Sequence, residues 1–333
     1  MVTTAELIAE VAGAPEVDRT ATKAIEKRIA DILRPPGSMA RLEDTARWMA
    51  GWQHTASPSV DHPVALIFAA DHGVVEEGVS AYPSDVTAAM LAAFNAEKAS
   101  VSALAAVAGA TVQAIDVGVG NPTNNLRVEA ALSHERFAEA FEAGRARVRS
   151  IQADLLIVGE MGIGNTTAAA AVCTALIGPH AGSFVGRGTG IDDEALETKT
   201  AVVTDAVNRI AGVTDPLEVL REVGGAELVA IAGAIVEARV RSIPVLLDGY
   251  ICTSPALTLH QVSPTLIANC RAGHRSPEPG HQLVLDHLGL DPLLTLDMRL
   301  GEASGAMAAV PLVAMACKLV TDVPTFSEWF ATT

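Results

Sequence analysis

The 333-residue chain predicts an α/β protein: a doubly wound, mostly parallel sheet with flanking helices, plus a small helical domain built from both chain ends. Three observations carry this. Short apolar runs recur, each ending in a turn with Gly or Asp and followed by a helical segment, the rhythm of βαβ units. Half of the residues are hydrophobic and 19% are charged, so a sizeable core is available and disorder is not expected. Aromatics are 4% while alanine and glycine abound, the composition of helices packed closely on a parallel sheet.

Taken in order, residues 4–34 read as one or two helices, with Leu7, Ile8 and Val11, then Ile25, Ile29 and Ile32, at helical spacing. Pro35-Pro36-Gly37 ends that segment, and Ser38 is the expected cap of the next helix, which carries Leu42, Trp48 and Trp52. Residues 51–63 read as a linker. The segments 64–73, 110–120, 154–164 and 243–250 each read as a buried strand plus the loop leaving its C-terminal end. SFVGRGTG at 183–190 is a weaker member of that set. Helices are expected at about 84–108, 166–177, 192–211 and 226–240, and again from about 301. The expected layout is a helical domain of residues 1–54 and 301–333 and an α/β catalytic domain of residues 55–300.

A formal charge of −16 argues against nucleic acid and anionic membrane as partners, because phosphate backbones call for basic patches. A small phosphorylated substrate remains open, since a few N–H groups at a helix start hold one phosphate even in an acidic protein. Cys173, Cys252, Cys270 and Cys317 are widely spaced and form no CxxC pair, which argues against structural zinc and a disulfide framework. The first twenty residues do not read as a signal peptide. The most apolar windows, such as 101–115, look too short to span a bilayer, so a soluble cytoplasmic protein is expected.

The loops hold the polar residues. In GEMGIGNTT (159–167), Gly162 and Gly164 admit unusual backbone angles, and Asn165, Thr166 and Thr167 are cap types for the next helix. Such a helix start favours a phosphate or carboxylate, although a plain Gly-rich turn reads equally well. In VGRGTGIDDEALETK (185–199), Gly186, Gly188 and Gly190 surround Arg187, Asp192 and Asp193 begin a helix, and Lys199 follows two turns in. Arg187 and Lys199 suit phosphate, and Arg187 suits a solvated face equally. Asp71-His72 reads as a hydrogen-bonded turn before it reads as metal ligands. GHRSPEPGH (273–281), with two His, an Arg and a Glu among prolines, reads as a rigid loop, functional or simply structural. Glu302, among Gly301, Ala303, Ser304 and Gly305, leaves room for a flat ligand, but taken alone reads as an acid at a helix start.

Together the segments RPPGSMARLE, AADHGVVEEGVSAYPSDVT, GEMGIGNTT, VGRGTGIDDE, EVGGAEL, IPVLLDGY, GHRSPEPGH and MRLGEASGA occur in a telling order. From about residue 34 to its end the chain resembles the nicotinate-nucleotide:5,6-dimethylbenzimidazole phosphoribosyltransferase family. The resemblance implies a Rossmann-like domain plus a small helical domain, and a homodimer with the active site near the subunit interface. It implies transfer of the 5-phosphoribosyl group from nicotinate mononucleotide to a benzimidazole nitrogen with inversion, and no metal or other cofactor. Glu302 falls on the family's general base. Glu160, Met161, Gly162, Gly164, Asn165, Thr166, Gly188, Gly190, Lys199, Ser80, Asp248, Ser276 and Leu300 fall on substrate-binding positions. An unperturbed glutamate, with a pKa of about 4.3, would be ionised at neutral pH. The chain departs from the family's pattern at Ala89, where a glutamine is expected, at Met39-Ala40, and at Cys252 and Pro255. These departures bear on the acceptor, so another benzimidazole, a purine or a phenol is an alternative. A non-catalytic protein that holds a benzimidazole or nucleotide is another, and it would need no carboxylate at position 302.

Overall fold

The computed structural model describes residues 2–178 and 180–331; Met1 and residues 332–333, counted above in the helical domain, lie outside them. Helix α1 (Thr4–Ala12) starts at a capping box in which Thr3 and Glu6 exchange hydrogen bonds, and α2 (Arg19–Asp31) is capped by Asp18. Residues 4–34 therefore hold two helices. Helix α3 (Arg41–Trp52) begins at Ala40, with φ 38° and no capping side chain, so Ser38 is not its cap. It runs through Trp52, which shortens the expected linker.

The alternating part follows: β1 (Pro63–Ala70), α4 (Asp85–Asn95), α5 (Ser100–Ala108), β2 (Thr111–Gly118), α6 (His134–Arg149), β3 (Leu155–Met161), α7 (Asn165–Ile177), α8 (Asp193–Arg209), α9 (Pro216–Val223), α10 (Ala226–Val240), β4 (Val245–Leu247), α11 (Tyr250–Val262), β5 (Cys270–Ala272) and α12 (Pro279–Leu288). Helices α13 (Ser304–Thr321) and α14 (Phe326–Ala331) complete the described chain. The expected helix over 84–108 is two helices, because the chain turns through Glu97 at φ 56°. Residues 183–190 form a short 3-10 turn and a loop, not a strand. The fifth strand is β5 instead.

All the strands are parallel, in the order β2-β1-β3-β4-β5. Strands β1 and β3 are buried along their whole length, as their unbroken apolar runs require, whereas β2 lies half-buried at one edge. One core, on the side of α6, α7, α10 and α11, includes Phe68, Leu156, Ala170 and Leu257. The opposite core includes Ile67, Leu155, Trp48 and Met307 and is closed by α3, α5 and α13. The helices of the two chain ends meet where Ile25 and Ile29 of α2, Ala46 and Ala50 of α3, and Ala316 and Val320 of α13 share a third cluster. Helix α1 instead packs on the α/β layer: Leu7 and Val11 join the first core, and Glu10 pairs with Arg145 of α6.

Among the described residues, α13 is the one helix long and apolar enough to cross a bilayer, which the expectation from shorter windows missed; 56% of it is buried in the fold.

Candidate active site

Between β1 and β3 the strand order reverses, and ligands of open α/β sheets bind at such a point beyond the carboxyl ends of the strands. A cavity of about 560 Å³ opens there. The end of β3 and the start of α7 supply Glu160, Met161, Gly162, Ile163, Asn165 and Thr166. Gly249 comes from the turn after β4, Tyr250 and Ile251 from the start of α11, His274, Ser276 and Glu278 from the loop after β5, and Met298 to Glu302 from the approach to α13. Tyr82 with Val86 and Met90 of α4 forms an apolar wall, and Gly188 and Thr189 close the side near the glycine loop.

The turn at the end of β3 differs from the sequence expectation. Gly164, at φ 93°, stands at the N-cap of α7, a left-handed position that favours glycine, and no side chain caps the helix. Asn165 is thereby the first helical residue, and its amide Nδ2 donates to Glu160 Oε2. Burial pushes the Glu160 carboxyl up to about 8, aided by the charges of Asp248, Glu227 and Glu302 and opposed by the Asn165 bond.

Glu302 sits in the most constrained backbone of the site. Gly301, Glu302 and Ala303 have φ of 83°, 61° and 62°, three left-handed residues in a row. The two that carry Cβ atoms cost about 1–3 kcal/mol each. The turn is held by bonds from Ser304 N to Gly301 O at 3.0 Å and from Met307 N to Ala303 O at 2.8 Å. It lies hard against β3: a Cβ on Gly159 would come within 2.6 Å of Ala303 N, and one on Gly301 would strike Glu160 Oε1. The outcome is a carboxyl 6% exposed that lines the cavity and has no hydrogen-bond partner among the described residues. Burial, and then the charge of Asp248, raise it to about 7, so the expected unperturbed glutamate is corrected.

Of the residues singled out in the sequence, Glu160, Met161, Gly162, Asn165, Thr166, Gly188, Ser276, Leu300 and Glu302 line this one cavity. Gly164, Gly190, Lys199, Ser80 and Asp248 lie outside its lining. Lys199 is buried beneath the loop, its Nζ donating to Thr166 Oγ1 at 2.8 Å and Gly186 O at 3.0 Å, and burial lowers it to about 8. Ser80 Oγ accepts the Tyr82 N–H at 3.2 Å. Asp248 Oδ1 accepts the Ala306 N–H at 2.8 Å. Gly190 sits at φ 122° in the turn before α8. Arg187 bonds Asp193 and Ile191 O on a half-exposed surface, the solvated alternative. His72 Nε2 lies 2.7 Å from Glu227 Oε1 in full burial, and Asp71 Oδ2 accepts the Gly120 N–H at 2.7 Å, so both side chains are bonded to segments distant in the chain.

Sequence reasoning missed Tyr82, Val86, Met90, Tyr250, Ile251, His274, Glu278, Met298 and Arg299 as lining residues. The spacing of four between Val86 and Met90 was the readable signal, because it puts both on one face of α4. Ala89, the departure from the family's glutamine, is exposed and outside the lining.

The phosphoribosyltransferase family DBI_PRT matches residues 14–329. A nicotinate-nucleotide–dimethylbenzimidazole phosphoribosyltransferase of Cereibacter sphaeroides is 44% identical over 94% of this chain and 93% of its own. A protein of the same name from Methylorubrum extorquens is 43% identical over 96% of this chain and 94% of its own. The solved structure of CobT from Thermus thermophilus superposes with a TM-score of 0.89 at 40% identity, covering 93% of this chain and 98% of that one.

Proposed function

The chain belongs to the phosphoribosyltransferase family DBI_PRT, and on that premise we propose that it moves the 5-phosphoribosyl group of nicotinate mononucleotide onto 5,6-dimethylbenzimidazole, releasing nicotinate and α-ribazole 5′-phosphate. The observation that carries this reading is the Glu302 carboxyl, strained into place, without a partner, and facing a cavity with room for a ring beside a ribotide.

The bond from C1′ to the pyridinium nitrogen breaks, and its electron pair leaves with nicotinate as a neutral ring nitrogen that needs no acid. The bond from C1′ to one benzimidazole nitrogen forms on the opposite face. The proton on the other benzimidazole nitrogen then becomes acidic, and Glu302 takes it. A base with a pKa near the working pH is better matched than one at 4.3, because it remains ionised enough to act while binding the proton more strongly. Holding sugar and ring in line contributes further rate. The start of α7, with Thr166 held by Lys199, is the proposed seat of the ribotide phosphate. Val86 and Met90 are the proposed wall of the ring site, and Glu160 faces the reacting centre from β3.

The reading is tested by mixing the protein with nicotinate mononucleotide and a panel of benzimidazoles, purines and phenols and weighing the products. Expected is the mass of α-ribazole phosphate with dimethylbenzimidazole; no ribotide product with any base would end the proposal, and preference for another base would move the acceptor. A homodimer in the cytoplasm is part of the same reading. Tyr82 and Leu300, each 49% exposed at the cavity, support a second copy lying over its mouth. Four buried free cysteines suit a reducing compartment.

A further inference from the structure

We propose that Asp248 is a positioning residue for Glu302: from the end of β4 it holds the first turn of α13, and so fixes the left-handed turn that aims the Glu302 carboxyl into the cavity. The inference rests on the phosphoribosyl-transfer reading and adds to it a residue that acts without touching substrate. Helix α13 lacks the usual device at its start. Its N-cap is Ala303, which has no side-chain oxygen to offer, so the N–H groups of the first turn need another acceptor. Asp248 supplies one across the fold. Its side chain is fully buried, and Oδ1 accepts the Ala306 N–H at 2.8 Å, while Oδ2 has no hydrogen-bond partner.

The surroundings leave this turn little freedom. His274 Nε2 lies 3.6 Å from Asp248 Oδ1, and its ring presses so closely on Gly305 that a side chain there would overlap it. Gly305 and Ala306 are thus held from β4 and from the loop after β5, three and four residues beyond Glu302. With that end released, the left-handed conformations at Glu302 and Ala303 lose their support from β4, and the contact of the turn with Gly159 of β3 is left to oppose their strain. The charged and titratable groups around Asp248 are Glu302, Glu160 at the end of β3, Glu227 on α10, Cys252 on α11 and His274. Burial raises the Asp248 carboxyl above the ordinary carboxylate range, and the charge it carries is the next contributor, after burial, to the raised proton affinity of Glu302.

Two substitutions separate the roles. Asp248→Asn keeps an oxygen for the Ala306 N–H and removes the charge, whereas Asp248→Ala removes both. The Ala variant is expected to lose about 100-fold or more in kcat, with KM for nicotinate mononucleotide within about threefold of wild type. The Asn variant is expected to retain at least about a tenth of wild-type kcat at alkaline pH, with the acid limb of kcat/KM displaced to lower pH by about half a unit or more. A merely structural role would not move that limb. An Ala variant with wild-type kcat, or an Asn variant that loses as much kcat as the Ala variant although it keeps the acceptor for the Ala306 N–H, would overturn the proposal; if the Ala variant does not fold, the Asn variant decides alone. Should wild-type protein form no ribotide product, the function reading fails separately. Carbon NMR titration of the Glu302 carboxyl, assigned with Glu302→Gln, then tests Asp248 without turnover: it should titrate at lower pH in Asp248→Asn, and an identical titration in both proteins would overturn the proposal.

Discussion

Between pH 6 and pH 8, kcat/KM should rise about tenfold, because the Glu302 carboxyl titrates near 7 in this fold. The sign follows from which form works. In the proposed mechanism the carboxylate is the base, burial favours the neutral acid, and so the active form is lost as pH falls through the raised value. With a pKa near 7, about 9% of the protein carries the base at pH 6 and about 91% at pH 8. A glutamate at about 4.3 would be almost fully ionised at both, giving a flat profile. The assay is the initial rate of nicotinate release at low nicotinate mononucleotide, measured in parallel with Glu302→Gln. Any protonation of the acceptor base itself affects both proteins and cancels in the ratio of their rates. The Gln variant should be slower by about 10²–10⁴-fold, the usual worth of a general base. Glu160, raised to about 8, titrates in the same cluster, so the apparent steps belong to the cluster as a whole. A wild-type/Gln ratio constant from pH 5.5 to 8 would refute the argument that burial tunes this acid.

Three further outcomes follow from the same geometry. Gly301→Ala, at φ 83° and against Glu160, should lower stability by at least about 1–3 kcal/mol, read as a drop in Tm, and should reduce kcat by disturbing Glu302; wild-type values of both would remove the crowding argument. Because the folded-state pKa of Glu160 is raised, its favourable contribution is complete below about 4.5 and is lost as pH rises through about 8; Tm of the ligand-free protein should fall over that window and fall less in Glu160→Gln, whereas parallel curves would contradict the burial account. Lys199→Ala should raise KM for nicotinate mononucleotide while leaving kcat within about threefold, and an unchanged KM would remove Lys199 and Thr166 from the phosphate seat.

The fold was legible where chemistry and pattern coincide. The unbroken apolar runs of β1 and β3 end at polar turns, and both strands lie where the alternation puts them. Strand β5 was not legible, because it is three residues long, carries Arg271 at its centre, and is made a strand only by pairing with β4. Residues 183–190 carried a better local signal and form none, because they pair with no strand of the sheet. At the site, residue types were readable and conformations were not. Glycines at 162 and 164 announced unusual backbone, and the small residues around Glu302 announced room for a ligand, but nothing local signals that Glu302 and Ala303 would both take left-handed angles. That conformation comes from tertiary contacts at Asp248, His274 and Gly159, each far from 302 in sequence. The raised proton affinity is likewise a property of burial, which no single loop reveals.

Strain and burial converge on the same carboxyl for a common physical reason. Three acids, Glu160, Asp248 and Glu302, crowd this end of the sheet, and burial disfavours carrying all their charges at once. The site therefore prefers a ligand that brings positive charge. The pyridinium nitrogen of nicotinate mononucleotide does so locally at the reacting centre, although its ring carboxylate and phosphate make the molecule an anion as a whole, and the sugar centre becomes more cationic as the leaving bond stretches. Carboxylates that are costly in the empty cavity become favourable beside that cation, so binding should draw protons off the cluster and sharpen Glu302 as a base when the acceptor is in place. In the proposed reaction, once nicotinate has left with a neutral ring nitrogen, the compensation is gone and Glu302 holds the proton taken from the acceptor. Nicotinate mononucleotide binding measured in buffers of different ionisation enthalpy should accordingly release protons near pH 7, and the release should shrink in Glu302→Gln. Binding without proton release would mean that the cluster is already ionised, and the argument from burial would fail with it.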